Sequence, residues 1–163
     1  MTLLLPGDAF PEINVDRWGG GVLRLPEATA GHYGVVLFFR GSWCPYCTAQ
    51  LRAFQRASAA LEEVDARVVA LSVDDEQTTG AFAGKHHLQF PIGYGADPAA
   101  VARATGAVVN PDPAYLQSTG FVLDPDGKVL TSVYSSGAIG RLVPDDVVGF
   151  IRYTREHAAD PAA

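Results

Sequence analysis

The stretch from Val35 to Leu61 constrains the fold of this chain most strongly. It reads VVLFFRGSWCPYCTAQLRAFQRASAAL, a run of five apolar residues followed by a turn and an amphipathic segment. An apolar run without alternation is typical of a strand that is buried on both faces, as in a parallel sheet. Apolar side chains at positions 51, 54 and 61 then predict a helix. The stretch therefore predicts a buried strand that leads directly into a helix.

The two cysteines of the chain, Cys44 and Cys47, lie three residues apart at this strand-to-helix junction. Pro45 suits the first turn of a helix, because a backbone N–H would have no partner there. Cys44 would then lie exposed at the N-terminal end of the helix, where unpaired backbone N–H groups favour a thiolate. Cys47 would lie deeper in the first turn. The pair predicts redox or metal chemistry rather than a structural disulfide.

Length and composition are typical of a globular protein. The 163 residues suit one domain, which we expect to span residues 1–157, with a frayed tail at 158–163. The net charge of −6 and the lack of a basic run argue against nucleic acid as a partner. The N-terminal residues do not resemble a signal peptide, and no apolar run reaches the length of a membrane span. We therefore expect a cytoplasmic protein that binds neither nucleic acid nor membrane.

The rest of the chain predicts an α/β fold with a central mixed sheet, flanking helices and an N-terminal hairpin extension. The order strand, helix, strand around the cysteines is a βαβ unit, whose two strands are parallel neighbours. Val108–Gln117 contains two prolines and is expected to be a loop. Further strands are expected at Ile13–Val15, Val22–Leu25, Arg67–Val73, Phe90–Ile92, Thr119–Asp124 and Lys128–Tyr134, and helices at Glu76–His87, Pro98–Thr105 and Pro144–His157.

The element order around W-C-P-Y-C resembles the thioredoxin fold. The segments FFRGSWCPYC, ALSVDDEQ, FPIGYGADPAAVARATGAV and FVLDPDGKVL resemble the peroxiredoxin-type redoxins of the AhpC/TSA family, over about residues 3–153. The resemblance implies a thioredoxin-like fold without a bound cofactor. It also implies that Cys44 is the attacking thiol and Cys47 the resolving thiol.

Two positions depart from the pattern of that family. Peroxiredoxins carry a Pro-x-x-x-Thr/Ser-x-x-Cys box, and here Leu37 and Gly41 occupy the proline and hydroxyl positions. Peroxiredoxins also carry an arginine just before the strand that begins near Phe121, where this chain has Ser118 followed by Thr119. Thioredoxins and glutaredoxins keep a cis-proline at about the same place, and it is missing too. The nucleophile therefore resembles that of thioredoxin, whereas the frame resembles a peroxiredoxin.

Several neighbours of the cysteines are candidate supporting residues. Trp43 could shield one side of the pair or serve as a half-buried anchor. Arg40 could lower the pKa of Cys44 or be a solvated turn residue, and Arg141 could reach the site from elsewhere in the fold. The backbone N–H groups next to the missing hydroxyl could replace it in part. The supporting set is Arg40, Gly41, Ser42, Trp43, Pro45, Tyr46, Ser118 and Thr119.

Three functions are consistent with these residues. The first is a thiol–disulfide oxidoreductase, and the second is a thiol peroxidase that reduces hydroperoxides through a Cys44 sulfenic acid resolved by Cys47. Either needs a disulfide or hydroperoxide substrate and a protein or low-molecular-weight thiol as reductant, and a homodimer is compatible with both. The third is a non-enzymatic metal-binding or interaction module. Zinc would need two more ligands, and adjacent His86 and His87 point in different directions on a helix, so no metal site is predicted.

Overall fold

The computed structural model describes residues 2–158. These residues hold a mixed sheet of seven strands in the order β2-β1-β5-β4-β3-β8-β9, and a separate pair, β6-β7. The strands are β1 (Ile13–Arg17), β2 (Val22–Leu25), β3 (Tyr33–Phe38), β4 (Ala66–Leu71), β5 (Ile92–Tyr94), β6 (Val109–Pro111), β7 (Ala114–Leu116), β8 (Thr119–Leu123) and β9 (Val129–Tyr134). The helices are α1 (Pro45–Arg56), α2 (Ser58–Glu63), α3 (Glu76–His86), α4 (Pro98–Thr105) and α5 (Pro144–Glu156).

The predicted buried strand is β3, at the centre of the large sheet. Its alternate side chains belong to two different hydrophobic clusters, Val35 and Leu37 to one and Val36 and Phe38 to the other. The first cluster joins β3 to α1, α2, α3 and α5, and the second joins it to α4 and the N-terminal strands. The sheet therefore lies between two layers, as the α/β prediction requires.

The predicted βαβ unit and N-terminal hairpin are confirmed. β3 and β4 are parallel neighbours, whereas β8 pairs antiparallel with β3 on its other side and β9 pairs antiparallel with β8. β1 pairs antiparallel with both β2 and β5, so the hairpin extends the sheet at one end. No helix within residues 2–158 is long and apolar enough to cross a membrane.

Local signals located the other helix ends closely. The Asp75 carboxylate caps α3 by accepting the Thr78 N–H at 2.8 Å, and Asp97 caps α4 through the N–H groups of Ala99 and Ala100. α3 ends one residue earlier than predicted, because His87 takes the left-handed conformation with φ of 54°. α5 likewise ends at Glu156. Of the tail predicted at 158–163, residues 159–163 lie outside the described residues.

The helix predicted through Leu61 is interrupted at Ala57. There ψ is 9°, far from the helical value near −42°, so the segment forms two helices, α1 and α2, instead of one. Leu61 and Val64 remain buried in the same cluster as Phe54. The interruption therefore keeps the apolar side of both helices against the sheet.

The prediction that Val108–Gln117 is a loop is wrong. The segment forms the antiparallel hairpin β6-β7, in which Val109 pairs with Leu116. Pro111 ends β6 and Pro113 lies in the turn, positions where a strand does not need an N–H donor for its ladder. Both prolines are therefore compatible with a short hairpin, and Tyr115 of this hairpin contacts Arg40 beside the cysteines.

Candidate active site

The site lies at the edge of the sheet where β3 and β4 end and β8 begins. Because β3 and β8 are antiparallel with Phe38 opposite Thr119, continuing the register places Arg40 opposite Gln117. The Arg40 Nε group donates to the Gln117 Oε1 atom at 3.0 Å. The topology thus brings the residues that follow β3 against the residues that precede β8.

Cys44 is the N-cap residue of α1, with Pro45 in the first helical position. Its Sγ atom accepts the backbone N–H of Cys47 at 3.3 Å. An N-cap acceptor satisfies a backbone donor that the helix cannot pair, and a negative charge there is stabilised by the helix dipole. The predicted position of Cys44 at the positive end of the helix is therefore confirmed.

The predicted exposure of Cys44 is wrong. Both cysteines are free thiols, and their side chains have 0% of their surface exposed. The reason is the side chain of Arg40, whose Nη1 atom lies 3.7 Å from Cys44 Sγ. Trp43 is 54% exposed and packs edge-on against Tyr115 of β7, at a centroid distance of 5.0 Å. The hairpin that was predicted to be a loop therefore acts on the sulfur through Arg40, against which Tyr115 and Trp43 pack.

Arg40 is held on several sides and is not a solvated turn residue. Besides the contacts to Gln117 and Cys44, its Nη2 atom donates to the Tyr115 hydroxyl at 3.1 Å. The guanidinium lies 4.8 Å from the ring centroid of Trp43 and 5.3 Å from that of Tyr115, within cation–π range. Of the two interpretations of Arg40, the structure supports the one that places positive charge beside Cys44.

Cys47 has a different environment. Its Sγ atom accepts the backbone N–H of Arg40 at 3.3 Å, and the Nη2 atom of Arg141 lies 3.7 Å away. Arg141 is oriented by Gln50 of α1, which accepts from Nη1 at 2.7 Å. Gln50 in turn donates to the Leu142 carbonyl at 2.9 Å. Each sulfur therefore has its own arginine.

These contacts shift the pKa values of the two thiols in opposite directions. Burial opposes ionisation of Cys44, but hydrogen bonds from the Cys47 thiol, the Cys47 backbone N–H and Arg40 outweigh it, so its pKa lies below the ordinary value. Burial raises the pKa of Cys47, and the hydrogen bond to Cys44 raises it further. Cys44 therefore becomes the thiolate first, and Cys47 keeps its proton.

Comparison with known proteins identifies the family. The AhpC/TSA family model matches residues 6–132, more than half of the chain. The chain belongs to the AhpC/TSA family. A peroxiredoxin from Methanothermobacter marburgensis is 29% identical over 170 residues, covering 98% of this chain and 76% of that protein. Alkyl hydroperoxide reductase C from Mycolicibacterium smegmatis is 26% identical over 163 residues, covering 89% and 82%.

The solved structures confirm the thioredoxin-like peroxiredoxin fold. The crystal structure of peroxidoxin BcpB from Mycobacterium tuberculosis matches with a TM-score of 0.79 at 22% identity, covering 92% of this chain and 97% of that one. The predicted α/β class and the resemblance to the AhpC/TSA family are thus both confirmed.

The position of the AhpC/TSA family hydroxyl is Gly41 here, and a larger residue would require the Trp43 side chain to shift. A Cβ atom at Gly41 would overlap Nε1 of the Trp43 indole. The neighbouring Ser42 N–H, a candidate substitute donor, donates instead to the Asp74 carboxylate at 2.8 Å. Burial raises the pKa of Asp74 even though this hydrogen bond acts in the opposite direction. The turn at Gly41 and Ser42 therefore contacts the Trp43 indole and the Asp74 carboxylate, and it carries no hydroxyl at the family position.

Three other predicted supporting residues lie apart from the sulfurs. Tyr46 is on the outer side of α1 and 52% exposed. The Ser118 carbonyl accepts the Ser135 N–H, and the Thr119 hydroxyl donates to the Gln117 carbonyl. Among the hydrogen bonds within residues 2–158, none joins the side chain of Ser118 or Thr119 to a cysteine. Both residues support the strand rather than the thiols.

Four residues of the site were not predicted, namely Gln50, Asp74, Tyr115 and Gln117. Gln117 could have been found from the antiparallel register of β3 and β8, which pairs it with Arg40. Tyr115 could not, because its hairpin was mistaken for a loop. In the part of the chain that the structure describes, no group of three or more His, Cys, Asp or Glu side chains could hold a metal ion.

Proposed function

We propose that the chain is a thiol-dependent oxidoreductase whose Cys44–Cys47 pair cycles between dithiol and disulfide. The observation that supports this most directly is the pair of contacts at Cys44 Sγ, which accepts the Cys47 N–H and lies beside the Arg40 guanidinium. Both contacts favour a thiolate, which is the reactive form of a cysteine. Cys47, one helical turn away and protonated, is suited to the second step.

The first candidate substrate is a disulfide. The Cys44 thiolate attacks one sulfur, forms a mixed disulfide and releases the other half as a thiolate. Cys47 loses its proton and attacks Cys44 Sγ, which releases the second half as a thiol and leaves a Cys44–Cys47 disulfide. A protein or low-molecular-weight thiol then reduces this disulfide by two electrons. Over one cycle, two electrons pass from the reducing thiol through the Cys44–Cys47 pair to the disulfide substrate.

The second candidate substrate is a hydroperoxide, and two observations favour it. Relatives in the family are a peroxiredoxin and an alkyl hydroperoxide reductase. In addition, Arg40 places a cation at Cys44, where charge would develop on the leaving oxygen. The thiolate would attack one oxygen, and the other would leave as an alcohol or water after taking up a proton. The resulting Cys44 sulfenic acid would condense with Cys47 and release water.

A disulfide is the first candidate substrate because the site lacks the family's hydrogen-bond donors that would stabilise the leaving oxygen of a hydroperoxide. The family hydroxyl is replaced by Gly41 and the family arginine by Ser118, and the Ser42 N–H is already bonded to Asp74. Removing one donor to a developing oxyanion typically costs about 10²–10³ in rate. Thiol–disulfide exchange develops no oxyanion, so it does not need these donors. A reducing compartment such as the cytoplasm would suit either reaction.

Turnover assays with each substrate test the proposal. Wild-type protein should consume a dithiol in the presence of a small disulfide, and Cys44→Ser should show no turnover. Cys47→Ser should complete the first step and then stop. If Cys44→Ser kept wild-type turnover with both a disulfide and a hydroperoxide, the proposal would be wrong. A homodimer remains a prediction, which light scattering of the purified chain would test.

A further inference from the structure

The Arg40 side chain is held by neutral acceptors from one segment of the chain. Tyr115 lies on β7 and Gln117 directly follows it, and they accept from Nη2 at 3.1 Å and from Nε at 3.0 Å. A guanidinium presents its donors in a fixed planar fork. With two directions of the fork used by the hairpin, the Nη1 direction points toward Cys44 Sγ, 3.7 Å away.

We propose that Tyr115 and Gln117 are positioning residues that hold the Arg40 guanidinium against the sulfur of Cys44. The proposal rests on the function proposed above, in which Cys44 is the attacking thiol. Among the hydrogen bonds of residues 2–158, none joins Tyr115 or Gln117 to the Cys44 sulfur. Both residues would therefore act through Arg40. The hairpin that carries them would therefore be part of the catalytic apparatus.

The choice of neutral acceptors is the first argument. Within residues 2–158 the only ion pair is His32 with Asp65, so Arg40 has no carboxylate partner there. A carboxylate would orient the guanidinium equally well, but it would offset the positive charge that Cys44 experiences. A phenol and an amide fix the orientation and leave the charge available to the thiolate.

The enclosure of Arg40 is the second argument. The guanidinium lies within cation–π distance of two rings, Trp43 and Tyr115, which pack on each other with an interplanar angle of 70°. Gln117 is buried, with 6% of its surface exposed, and its oxygen accepts from Arg40. A long, flexible side chain on a turn would otherwise sample many rotamers. The rings and the two acceptors together select one.

The charged and titratable groups around Cys44 come from several elements. Arg40 follows β3, and Cys47 lies on α1. Arg141, from the connection after β9, lies against Cys47, and Asp74, after β4, accepts from the turn at Ser42. All four remain in variants of Tyr115 and Gln117. A change in the ionisation of Cys44 in those variants would therefore report on the placement of Arg40.

The experiment measures the rate of Cys44 alkylation against pH by peptide mass spectrometry. Tyr115→Phe keeps the ring and removes the hydroxyl acceptor, Gln117→Leu removes the amide acceptor, and Tyr153→Phe on α5 is the matched control. We expect the first two to raise the apparent pKa of Cys44 and slow alkylation several-fold at neutral pH. Gln117→Glu should raise that pKa as well, because it keeps the acceptor but adds a negative charge. The control should match the wild type.

Combination with Arg40→Ala separates positioning from a general structural role. In that background Tyr115→Phe and Gln117→Leu should have no further effect on the pKa of Cys44, since residues acting through one partner are not additive. A full additional shift in that background would overturn the proposal, and so would wild-type pKa values in both single variants. If Gln117→Leu fails to fold, Tyr115→Phe alone decides. Alkylation needs no turnover, so failure of the proposed function would be seen separately, as an inactive wild type with the shifts intact.

Discussion

The backbone N–H of Cys47 donates to the Sγ atom of Cys44 at 3.3 Å. Cys47 thus helps to stabilise the Cys44 thiolate, and it would attack the same sulfur later, when that sulfur is in a mixed disulfide or a sulfenic acid. This contact exists because Cys44 occupies the N-cap position and Cys47 is the third residue of the helix, which is the usual N-cap hydrogen-bond pattern. A C-x-x-C spacing at a helix start therefore contributes to the difference in pKa between the two thiols by local geometry, and burial of Cys47 and the Arg40 contact add to it.

The two cysteines should behave differently when each is replaced. Cys47→Ser should accumulate a stable mixed disulfide at Cys44, because no thiol remains to resolve it. Cys44→Ser should not react with thiol reagents near neutral pH, because the remaining thiol has a raised pKa. Intact-mass and peptide mass spectrometry would detect the adducts. Adducts found mainly on Cys47 in the wild type would reverse the assignment.

The reactivity of Cys44 should depend on pH in a manner set by Arg40. Its rate should rise with pH to a plateau, with a midpoint below the ordinary thiol pKa of about 8.5, because the folded protein lowers the pKa of Cys44. Arg40→Ala should move the plateau to higher pH, and Arg40→Lys should restore it only in part, since lysine keeps the charge but lacks the planar fork. The measurement is alkylation rate against pH. An unchanged plateau in Arg40→Ala would show that the helix alone determines the ionisation.

Gly41→Thr would restore the hydroxyl of the family box, but it should not give an efficient peroxidase. A Cβ atom there overlaps the Trp43 indole, so the indole, which packs against Tyr115, must shift. We expect destabilisation of about 1–3 kcal/mol, the usual range for overpacking, and a changed tryptophan fluorescence. Gly137→Thr is a matched control, because no atom lies within 4 Å of a Cβ at that position. Equal stability of the two variants would contradict this account.

Asp74→Asn should stabilise the protein at neutral pH. Burial raises the pKa of Asp74, so ionising it costs more free energy in the folded state than in the unfolded state. Asparagine can still accept the Ser42 N–H without a buried charge. The advantage should be full above the raised pKa and vanish as pH falls below the ordinary aspartate value, where both states of the wild type are protonated. Denaturant unfolding at several pH values would measure it, and a less stable variant at neutral pH would refute it.

Local signals made part of this protein predictable from sequence. The position of Cys44 beside Pro45 and the ends of α4 at Asp97 and Gly106 depend on residues within one turn of each other. The buried strand β3 followed from an unbroken apolar run. For these features the prediction and the structure agree, because nearest neighbours in the chain determine them.

Long-range contacts account for what was missed. Sequence alone did not show that Arg40 would be held by Tyr115, 75 positions away, or that this contact would bury Cys44. Arg141 lies 94 positions from Cys47, and its approach depends on Gln50 and the connection after β9. Such contacts arise from sheet order and loop packing, which the local pattern does not specify.

Stopped-flow mixing of the reduced protein with hydrogen peroxide and, separately, with a small disulfide tests the central claim most directly. Fluorescence of Trp43, next to Cys44, should report each oxidation, and Cys44→Ser should give no signal. We predict conversion to the Cys44–Cys47 disulfide by the disulfide substrate and a slow reaction with peroxide. A peroxide rate constant on the order of 10⁶ M⁻¹s⁻¹ or more, within the range of efficient enzymes, would contradict it, and so would the absence of any reaction with the disulfide.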